Sequence, residues 1–393
     1  MKSHYDYIIT GAGLAGLSLL MRMMQHPFFD SAQILVIDAA QKNTNDRTWC
    51  FWEKEPDIFE PIVCKKWEQV SFIAPSYKSE LNLSPFVYKM IRGIDLYTHV
   101  LSLAASKSNI TFCTESVLSV QTTKTGARVQ LKNQTLTANK VFNSILFEPV
   151  NLLAQKSSDY FLWQHFKGYE IKTETPVFND GVATLMDFTV DQSKGTTFMY
   201  VMPTSSTTAL VEYTLFTENL LADKDYNEAI QAYIQKTYGA VVYNITHQEF
   251  GQIPMTNFCF SGGAGNIINM GVAGGQVKGS SGYAFHFIQE KTKAVIADLV
   301  AGKNPLRTLS FSQKKFGLYD AVLLRVLQDK KLDGATIFTQ IFSKNPPDRV
   351  FRFLNNESSL SDDLHIMASV PTHIFLPAAL YALLGVKRRR GLN

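Results

Sequence analysis

The sequence predicts an α/β fold that combines a Rossmann-type parallel sheet, a second and mainly antiparallel sheet, and a helical C-terminal region. Three observations support this prediction. A strand, a glycine-rich turn, a helix and another strand follow one another near the N-terminus. β-Branched and aromatic residues dominate from about 150 to 255, and the pattern after about 310 is helical without obvious strands. At 393 residues the chain is long for a single hydrophobic core, so two lobes are expected.

The first unit begins with a short apolar strand over residues 5–10. Residues 11–16 (GAGLAG) form a tight turn, and residues 17–25 continue as a helix until Pro27. A second apolar strand follows over residues 33–38. This order is typical of one half of a Rossmann fold, in which a helix crosses between two parallel strands.

The turn fits the GxGxxG pattern of dinucleotide-binding proteins, with Ala12, Leu14 and Ala15 between its glycines. Gly11 permits the tight turn, Gly13 lets the backbone approach a pyrophosphate, and Gly16 allows close packing of helix on strand. The helix N-terminus then presents free N–H groups to the phosphates. Asp38 ends the second strand, where a carboxylate hydrogen-bonds the adenosine ribose and disfavours NADP.

Further elements follow along the chain. Strands are predicted over 70–74 and 127–131, and a helix over 94–106. The antiparallel sheet between 150 and 255 is interrupted by an amphipathic helix over 224–238. We therefore expect a discontinuous nucleotide-binding domain (1–64, 90–150 and 256–310), a sheet domain for the substrate (65–89 and 151–255) and a helical region (311–393), which is a candidate for membrane contact.

A second glycine cluster favours FAD over NAD as the nucleotide. Residues 266–284 (NIINMGVAGGQVKGSSGYA) join an apolar strand to an expected helix start, and Arg92 precedes an apolar helix. Both segments resemble those of glutathione-reductase-like flavoproteins. Besides the first turn and Asp38, the residues that this likeness assigns to FAD are Arg47, Arg92, Gly271, Gly274, Gly275, Lys278, Gly279, Ser280, Ser281 and Gly282.

Several strings resemble bacterial lycopene β-cyclases in a consistent order over nearly the whole chain. The most specific are residues 45–52 (NDRTWCFW), 186–192 (MDFTVDQ), 210–214 (LVEYT) and the GGxxKGSSGYAF run from Gly274. The likeness continues over residues 319–327 and 337–345 in the helical tail.

This resemblance implies a non-redox cyclisation of the linear end groups of lycopene, through γ-carotene, to β-carotene. A terminal alkene is protonated, the neighbouring double bond closes on the carbocation, and a proton is lost. The family needs reduced FAD, with NADPH or NADH as the expected electron source. The implied partners are lycopene or a related acyclic carotenoid, with other carotenoid enzymes as candidates.

The resemblance assigns Glu212 as the general acid. An alkene is a weak base, so the donor must stay protonated near neutral pH, and burial among apolar residues raises a carboxyl pKa. Glu212 lies in the apolar string ALVEYTLF (209–216), although alternation alone also permits a solvent-facing glutamate. Asp187 is the second candidate acid, and a structural hydrogen bond within the sheet explains it about equally well.

Charge and cysteine content narrow the class of protein. The net charge of +4 is small for this length and does not indicate nucleic-acid binding. Cys50, Cys64, Cys113 and Cys259 are far apart, which argues against a zinc site and against a disulfide framework. Asp6 interrupts the first apolar run, so no signal peptide is expected and a reducing cytoplasm is favoured.

A carotenoid must be taken from a bilayer, and the C-terminus carries a suitable segment. Residues 370–386 (VPTHIFLPAALYALLGV) are apolar, and Lys387, Arg388, Arg389 and Arg390 follow them. An interfacial helix with basic anchors fits this segment better than a transmembrane span. We therefore expect peripheral association with the cytoplasmic face of the inner membrane. A buried terminal helix with a solvated basic tail is the alternative.

Three other functions are compatible with parts of the pattern. A flavin hydroxylase or halogenase would consume oxygen and NADPH in proportion to product. A reductase of isoprenoid chains would add two mass units per event, whereas cyclisation leaves the mass unchanged. A non-catalytic carotenoid or lipid carrier would bind without turnover.

Overall fold

The computed structural model describes residues 2–157, 159–306 and 308–384, without the side chains of 155–157. The predicted basic run at 387–390 lies outside the described residues. In the described part of the chain, the strands are β1 (His4–Thr10), β2 (Ile34–Asp38), β3 (Thr48–Glu53), β4 (Lys65–Trp67), β5 (Gln69–Ala74), β6 (Tyr77–Asn82), β7 (Val87–Arg92), β8 (Ile110–Thr114), β9 (Val117–Thr122), β10 (Ala127–Leu131), β11 (Thr135–Asn143), β12 (Phe161–Thr173), β13 (Val182–Asp187), β14 (Thr196–Pro203), β15 (Thr208–Thr217), β16 (Tyr243–Thr256), β17 (Gly263–Ala264) and β18 (Ile267–Asn269).

The α-helices of the described residues are α1 (Leu14–Met24), α2 (Gly93–Ala105), α3 (Val150–Ser157), α4 (Asp223–Tyr238), α5 (Phe285–Val300), α6 (Phe311–Gln328), α7 (Gly334–Lys344), α8 (Pro347–Leu354), α9 (Leu360–Ser369) and α10 (Thr372–Leu383). Short 3-10 turns occur at Pro27–Phe29, Glu60–Ile62 and Gly271–Gly274.

The first sheet has the order β17-β18-β11-β1-β2-β8, with β10 and β9 continuing from β11. β1 lies at its centre and pairs in parallel with β2 and with β11. β8 and β18 also join in parallel, and α1 and α5 pack against each other over this sheet. This parallel centre with crossover helices confirms the predicted Rossmann-type α/β class.

The second sheet has the order β16-β12-β15-β14-β13-β5-β6. All of its neighbouring strands are antiparallel except β13 and β5, which run parallel. One face is covered by α4, whose Tyr226, Ile230 and Tyr233 are buried against it. The predicted sheet, and the helix predicted over 224–238 within it, are therefore present.

A third, small sheet consists of β3, β7 and β4. Its Trp52 and Tyr88 pack in the core of the second sheet, and its Phe51 and Ile91 pack in the core of the first. The helices after α5 cover the second sheet where Phe338 and Phe342 of α7 pack against Phe188 and Phe72. α10 packs on α6. Helices of the C-terminal region thus help to cover the second sheet, although the strands of this sheet all come earlier in the sequence. The division into domains by residue number stays a prediction.

The start of one helix differs from the expectation, and the start of another agrees with it. α1 begins at Leu14 and not at residue 17, because Gly13 already serves as its N-cap. After β18 the chain makes a 3-10 turn and then an irregular stretch, with left-handed backbone at Gly275 and Gly282, so that α5 begins at Phe285. Within the described residues, no helix is both long and apolar enough to cross a membrane.

Candidate active site

A cavity of about 830 Å³ lies between the first and second sheets. One end is formed by the turn after β1 and by the start of α1, and the other by residues of β12, β15 and β16. Its wall includes Gly13 and Asp38 at the first end and Glu212 at the second. The cavity therefore joins the predicted nucleotide site to the predicted acid.

Gly11 and Gly16 at the first end have the tight surroundings that their spacing predicts, whereas the approach of Gly13 to a pyrophosphate stays a prediction. Gly11 has a φ of +94°, and a Cβ there would lie 2.2 Å from Ser144 Oγ. A Cβ on Gly16 would lie 2.0 Å from the carbonyl oxygen of Gly11, so only glycine lets α1 approach the strand end. Gly13 faces open space in the cavity, because a Cβ on this residue would have no neighbouring atom within 4 Å.

The N-terminus of α1 is free to bind an anion. No side chain of the described residues caps it, so its first N–H groups remain available beside Gly13. Asp38 stabilises the turn, because its Oδ2 accepts a 2.7 Å hydrogen bond from the Ala12 amide. Its Oδ1 accepts from the Ala40 amide and pairs with Lys42 at 3.3 Å. These groups fit the pyrophosphate and ribose of FAD.

Glu212 lies on β15 and is only 7% exposed. Thr214 Oγ1 donates a 2.7 Å hydrogen bond to its Oε1. Burial, and then the nearby charge of Glu249, raise the pKa of Glu212 to about 8. Glu212 can therefore hold a proton at neutral pH, as a donor to a weakly basic alkene must.

A second buried carboxyl, Glu249, shares the cavity, and no motif of the sequence indicated it. It lies on β16, is 5% exposed, and accepts a 2.7 Å hydrogen bond from Thr48 Oγ1 at its Oε2. Burial raises the pKa of Glu249 to about 7, while the Thr48 hydrogen bond and the charge of Arg47 oppose the rise. The cavity thus contains two carboxyl groups whose pKa values are raised by burial.

Aromatic side chains surround these two acids. Tyr88, Tyr200 and Tyr283 line the cavity, together with Trp163 and Phe166. The hydroxyl groups of Tyr200 and Tyr283 lie 3.4 Å apart, and burial raises the pKa of Tyr283 to about 12. The phenols are therefore neutral, and the ring faces offer π-electron density to a cation.

The remaining predicted residues divide between the cavity and other places. Gly11, Leu14, Ala15, Arg47, Gly271 and Gly282 also line it. Ala12 contributes its amide to Asp38. Gly16, Gly274 and Gly279 lie close to backbone oxygen atoms, and Gly275 adopts a left-handed backbone beside the side chain of Phe260. Arg92 is turned away and forms an ion pair with Asp95 at 2.7 Å.

Asp187 does not meet Glu212. It is buried at the end of β13, where its Oδ1 accepts hydrogen bonds from the Thr189 amide and hydroxyl. Its Oδ2 accepts from the Tyr233 hydroxyl at 2.8 Å. Since Tyr233 belongs to α4, these contacts lie on the face of the sheet that α4 covers. They favour the structural alternative for Asp187.

Three polar side chains of the second glycine cluster are buried, and the contacts described for them are with other parts of the protein. Lys278 is buried and pairs with Asp320 of α6 at 2.9 Å. It also donates to Asn356 Oδ1 at 2.7 Å. Ser280 donates to Asp320 as well, and Ser281 is buried near by. The assignment of these three side chains to FAD stays a prediction. The contacts of Lys278 and Ser280 lead to the helical region, and Ser281 Oγ has no hydrogen-bond partner among the described residues.

Comparison with known proteins relates this chain to lycopene cyclases. A family model described as lycopene cyclase protein matches residues 6–380. A lycopene β-cyclase of Pantoea ananas is 25% identical over 418 residues, covering 99% of this chain and all of the relative.

Solved structures share the fold at low sequence identity. A flavin-dependent brominase superposes with a TM-score of 0.64 at 13% identity, covering 93% of this chain and 98% of its own. The halogenase PltM, solved with phloroglucinol and FAD, gives a TM-score of 0.56 at 11% identity over 93% of this chain and 85% of its own. These likenesses show that this chain shares the fold of the two proteins.

Proposed function

The chain belongs to the lycopene cyclase family, and on this basis we propose that it cyclises the linear end groups of lycopene, or of a related acyclic carotenoid, to β-rings. The observation that carries the proposal is Glu212, a buried carboxyl in a cavity that continues to the glycine turn. In this proposal the enzyme converts lycopene through γ-carotene to β-carotene and acts as an isomerase, since the mass does not change.

Glu212 acts as the general acid. Its proton passes to the terminal alkene and leaves a tertiary carbocation, on which the neighbouring double bond closes. Burial supports this role, because it keeps the carboxyl protonated at a pH at which an exposed glutamate is ionised. The hydrogen bond from Thr214 holds one carboxyl oxygen in place.

The aromatic wall stabilises the cation once it forms. The rings of Tyr88, Tyr200 and Tyr283 stand beside the acid, and each offers a negative π-face. Tyr88 and Tyr200 are buried and Tyr283 is partly buried, so these rings limit the access of bulk water to the cation, which water would otherwise capture as an alcohol.

The dinucleotide end of the cavity is proposed to hold FAD. Gly13 and the N-terminus of α1 would accept the pyrophosphate, and Asp38 would lie by the ribose. In its reduced form, with NADPH or NADH as electron source, bound FAD would supply electron density that stabilises the cation without net redox change.

The substrate is proposed to enter from the cytoplasmic face of the inner membrane, with which the protein associates peripherally. Exposed apolar side chains on and next to α10 support this, namely Leu376, Leu380, Tyr381, Leu383 and Leu384. Leu360 and Leu364 of α9 are exposed as well. Such a surface suits an interfacial helix, and the basic residues at 387–390 would strengthen its contact with anionic headgroups.

The test is expression in bacteria that accumulate lycopene, with Glu212→Gln in parallel. The wild type should yield an isomer of lycopene of unchanged mass whose colour moves from red toward yellow-orange, and the variant should not. Glu80→Gln, an exposed glutamate on the edge strand β6 of the same sheet, is the matched control and should behave as the wild type.

Two results would contradict the proposal. Unchanged lycopene in cells that contain soluble, flavin-loaded wild type would exclude the cyclase activity. Full cyclisation by a flavin-loaded Glu212→Gln variant would exclude Glu212 as the acid while leaving the activity in place.

A further inference from the structure

Glu249 is a buried, ionisable residue that lies in the cavity. It takes no part in the proposed protonation step. It is less exposed than Glu212 and lies on the edge strand β16. Its Oε2 is held by Thr48, and no donor among the described residues reaches its Oε1. A carboxyl kept in this position, at a cost in desolvation, needs an explanation.

The sheet register brings Glu249 and Glu212 to opposite sides of one glycine. On the central strand β12, Gly168 is directly opposite Glu212 of β15 and directly opposite Glu249 of β16. Residues directly opposite one another point to the same face of a sheet. Both carboxyl groups therefore project from the same face, with one strand between them.

Because Gly168 has no side chain, the side chain of Glu249 can extend over β12. A Cβ on Gly168 would lie 3.2 Å from Glu249 Cγ and 3.6 Å from its Oε1. The same Cβ would lie 3.0 Å from Leu210 Cδ1. The space above this glycine is thus occupied by Glu249, and the free oxygen is the one nearest to the gap.

Charges around the pair favour one arrangement of protons. Two neighbouring buried carboxyl groups do not both ionise readily. Thr48 and Arg47 stabilise the ionised form of Glu249, whereas the charge of Glu249 helps to keep Glu212 protonated. The hydrogen bond from Thr48 and the charge of Arg47 therefore make Glu249 the carboxyl that ionises first, while Glu212 retains its proton.

We propose that Glu249 is the base that ends the reaction, an inference that rests on the cyclase function proposed above. Glu212 breaks its O–H bond as a C–H bond forms at the terminal alkene. After ring closure, Glu249 takes a proton from a ring carbon, and the electron pair of that C–H bond becomes the new ring double bond. The proton then returns across Gly168 to Glu212, so no atom or electron is gained or lost.

This role gives Glu249 control of the ring type. The carbocation can lose a proton from more than one neighbouring carbon, and each choice places the ring double bond differently. A base fixed by β16 and Thr48 reaches one of these protons in preference to the others. The position of the Glu249 carboxylate therefore determines whether β-rings are the sole product.

The test compares Glu249→Gln and Glu249→Asp with the wild type and the Glu80→Gln control in lycopene-containing membranes with reduced FAD. Glu249→Gln should retain flavin and lower the cyclisation rate by about 100-fold or more. Its residual product, and that of Glu249→Asp, should include isomers with a displaced ring double bond, identified by chromatography and NMR.

The pH profile provides a second readout. Because the charge of Glu249 raises the pKa of Glu212, its removal in Glu249→Gln should move the alkaline limit of activity to lower pH. A simple packing defect would leave both that limit and the ring type unchanged.

The inference is overturned if Glu249→Gln forms only β-rings at the wild-type rate, or if its rate falls while ring type and alkaline limit stay unchanged. Should Glu249→Gln fail to bind flavin, Glu249→Asp decides, and exclusive β-ring formation at the wild-type rate would refute the role. Failure of the wild type to convert lycopene would instead refute the proposed function.

Discussion

At the scale of the residue, burial keeps the carboxyl of Glu212 protonated. This protonated state serves proton transfer to the substrate more than it serves the stability of the fold. Glu212 lies in a strand of mainly apolar residues, and the residue is 7% exposed. The unfolded chain would expose the same group to water. The folded protein therefore retains a proton that the unfolded chain releases, and this difference makes stability depend on pH.

The sign of this dependence follows from the raised pKa. Between about pH 4.5 and about 8, the native state binds more protons than the unfolded state, so the free energy of unfolding falls as pH rises. Glu212→Gln removes the ionisable group, so the variant should be more stable than the wild type at pH 8, on the order of 2 kcal/mol. The difference in the free energy of unfolding between Glu212→Gln and the wild type should become smaller toward pH 5.

Thermal unfolding of the flavin-free proteins at several pH values measures this difference. Glu80→Gln, which is exposed, should show no such trend. A Glu212→Gln variant less stable than the wild type at pH 8 would indicate that the carboxyl is not buried as described.

Gly168 is the residue on which the acid pair depends. Gly168→Ala would place a methyl group about 3 Å from Leu210 and Glu249, so one of these side chains must move. We expect retained folding and flavin content with about 10- to 100-fold slower cyclisation, because small displacements of reacting groups are costly. Initial rates measure this, and Gly181→Ala, in the loop before β13, serves as control. A wild-type rate in Gly168→Ala would contradict the expectation.

At the scale of the element, the first β-turn-α unit was predictable because its constraints are local. The three glycines, the helix and Asp38 all lie within one short segment, and their roles depend on contacts within it. The sheet in the middle of the chain was likewise predictable from its composition. The start of α1 was missed by three residues because glycine also serves as a helix N-cap.

Glu249 was not predictable for the opposite reason. It lies in the polar string THQEFGQ (246–252), which is typical of an exposed edge strand, and several of its neighbours are indeed exposed. Its burial depends on pairing with Gly168, far away in the chain. The contact of Lys278 could not be predicted for the same reason, because its partner Asp320 is far away in the chain and is not recognisable from the glycine motif.

Asp38 tests the nucleotide-binding element. Asp38→Ala removes the acceptor of the Ala12 amide and should weaken FAD binding by about 10- to 100-fold, since hydrogen bonds to charged groups contribute roughly 1.5–3 kcal/mol. Titration of the flavin-free protein with FAD, followed by fluorescence, measures this. Asp30→Ala, at an exposed carboxylate after α1, should bind FAD as the wild type does. Equal affinities would argue against a role for Asp38.

At the scale of the whole molecule, a buried ion pair connects the second glycine cluster to the helical region. Lys278 contacts Asp320 of α6 and Asn356 after α8, and the rings of Phe316 and Phe353 lie within 6 Å of its ammonium group. The nucleotide-binding sheet and the C-terminal helices are therefore joined by one buried cation. Removing one partner leaves the other charge without compensation.

Lys278→Met should lower the free energy of unfolding by about 3–5 kcal/mol, whereas Lys278→Met with Asp320→Leu should recover most of the loss. Urea denaturation followed by intrinsic fluorescence gives both values. Lys293→Met, at a half-exposed surface ion pair, should change stability by less than about 1 kcal/mol. A double variant as unstable as the single one would show that packing, and not the unpaired charge, dominates.

The link through Lys278 also bears on the order of events during biosynthesis. The ribosome synthesises both large sheets before it reaches Asp320 and Asn356, so the second glycine turn leaves the ribosome without its partners. We expect a nascent chain halted after residue 306 to hold flavin poorly, and the released chain to hold it firmly. Cofactor loading would then follow translation, and only molecules with a completed helical region would become pigmented.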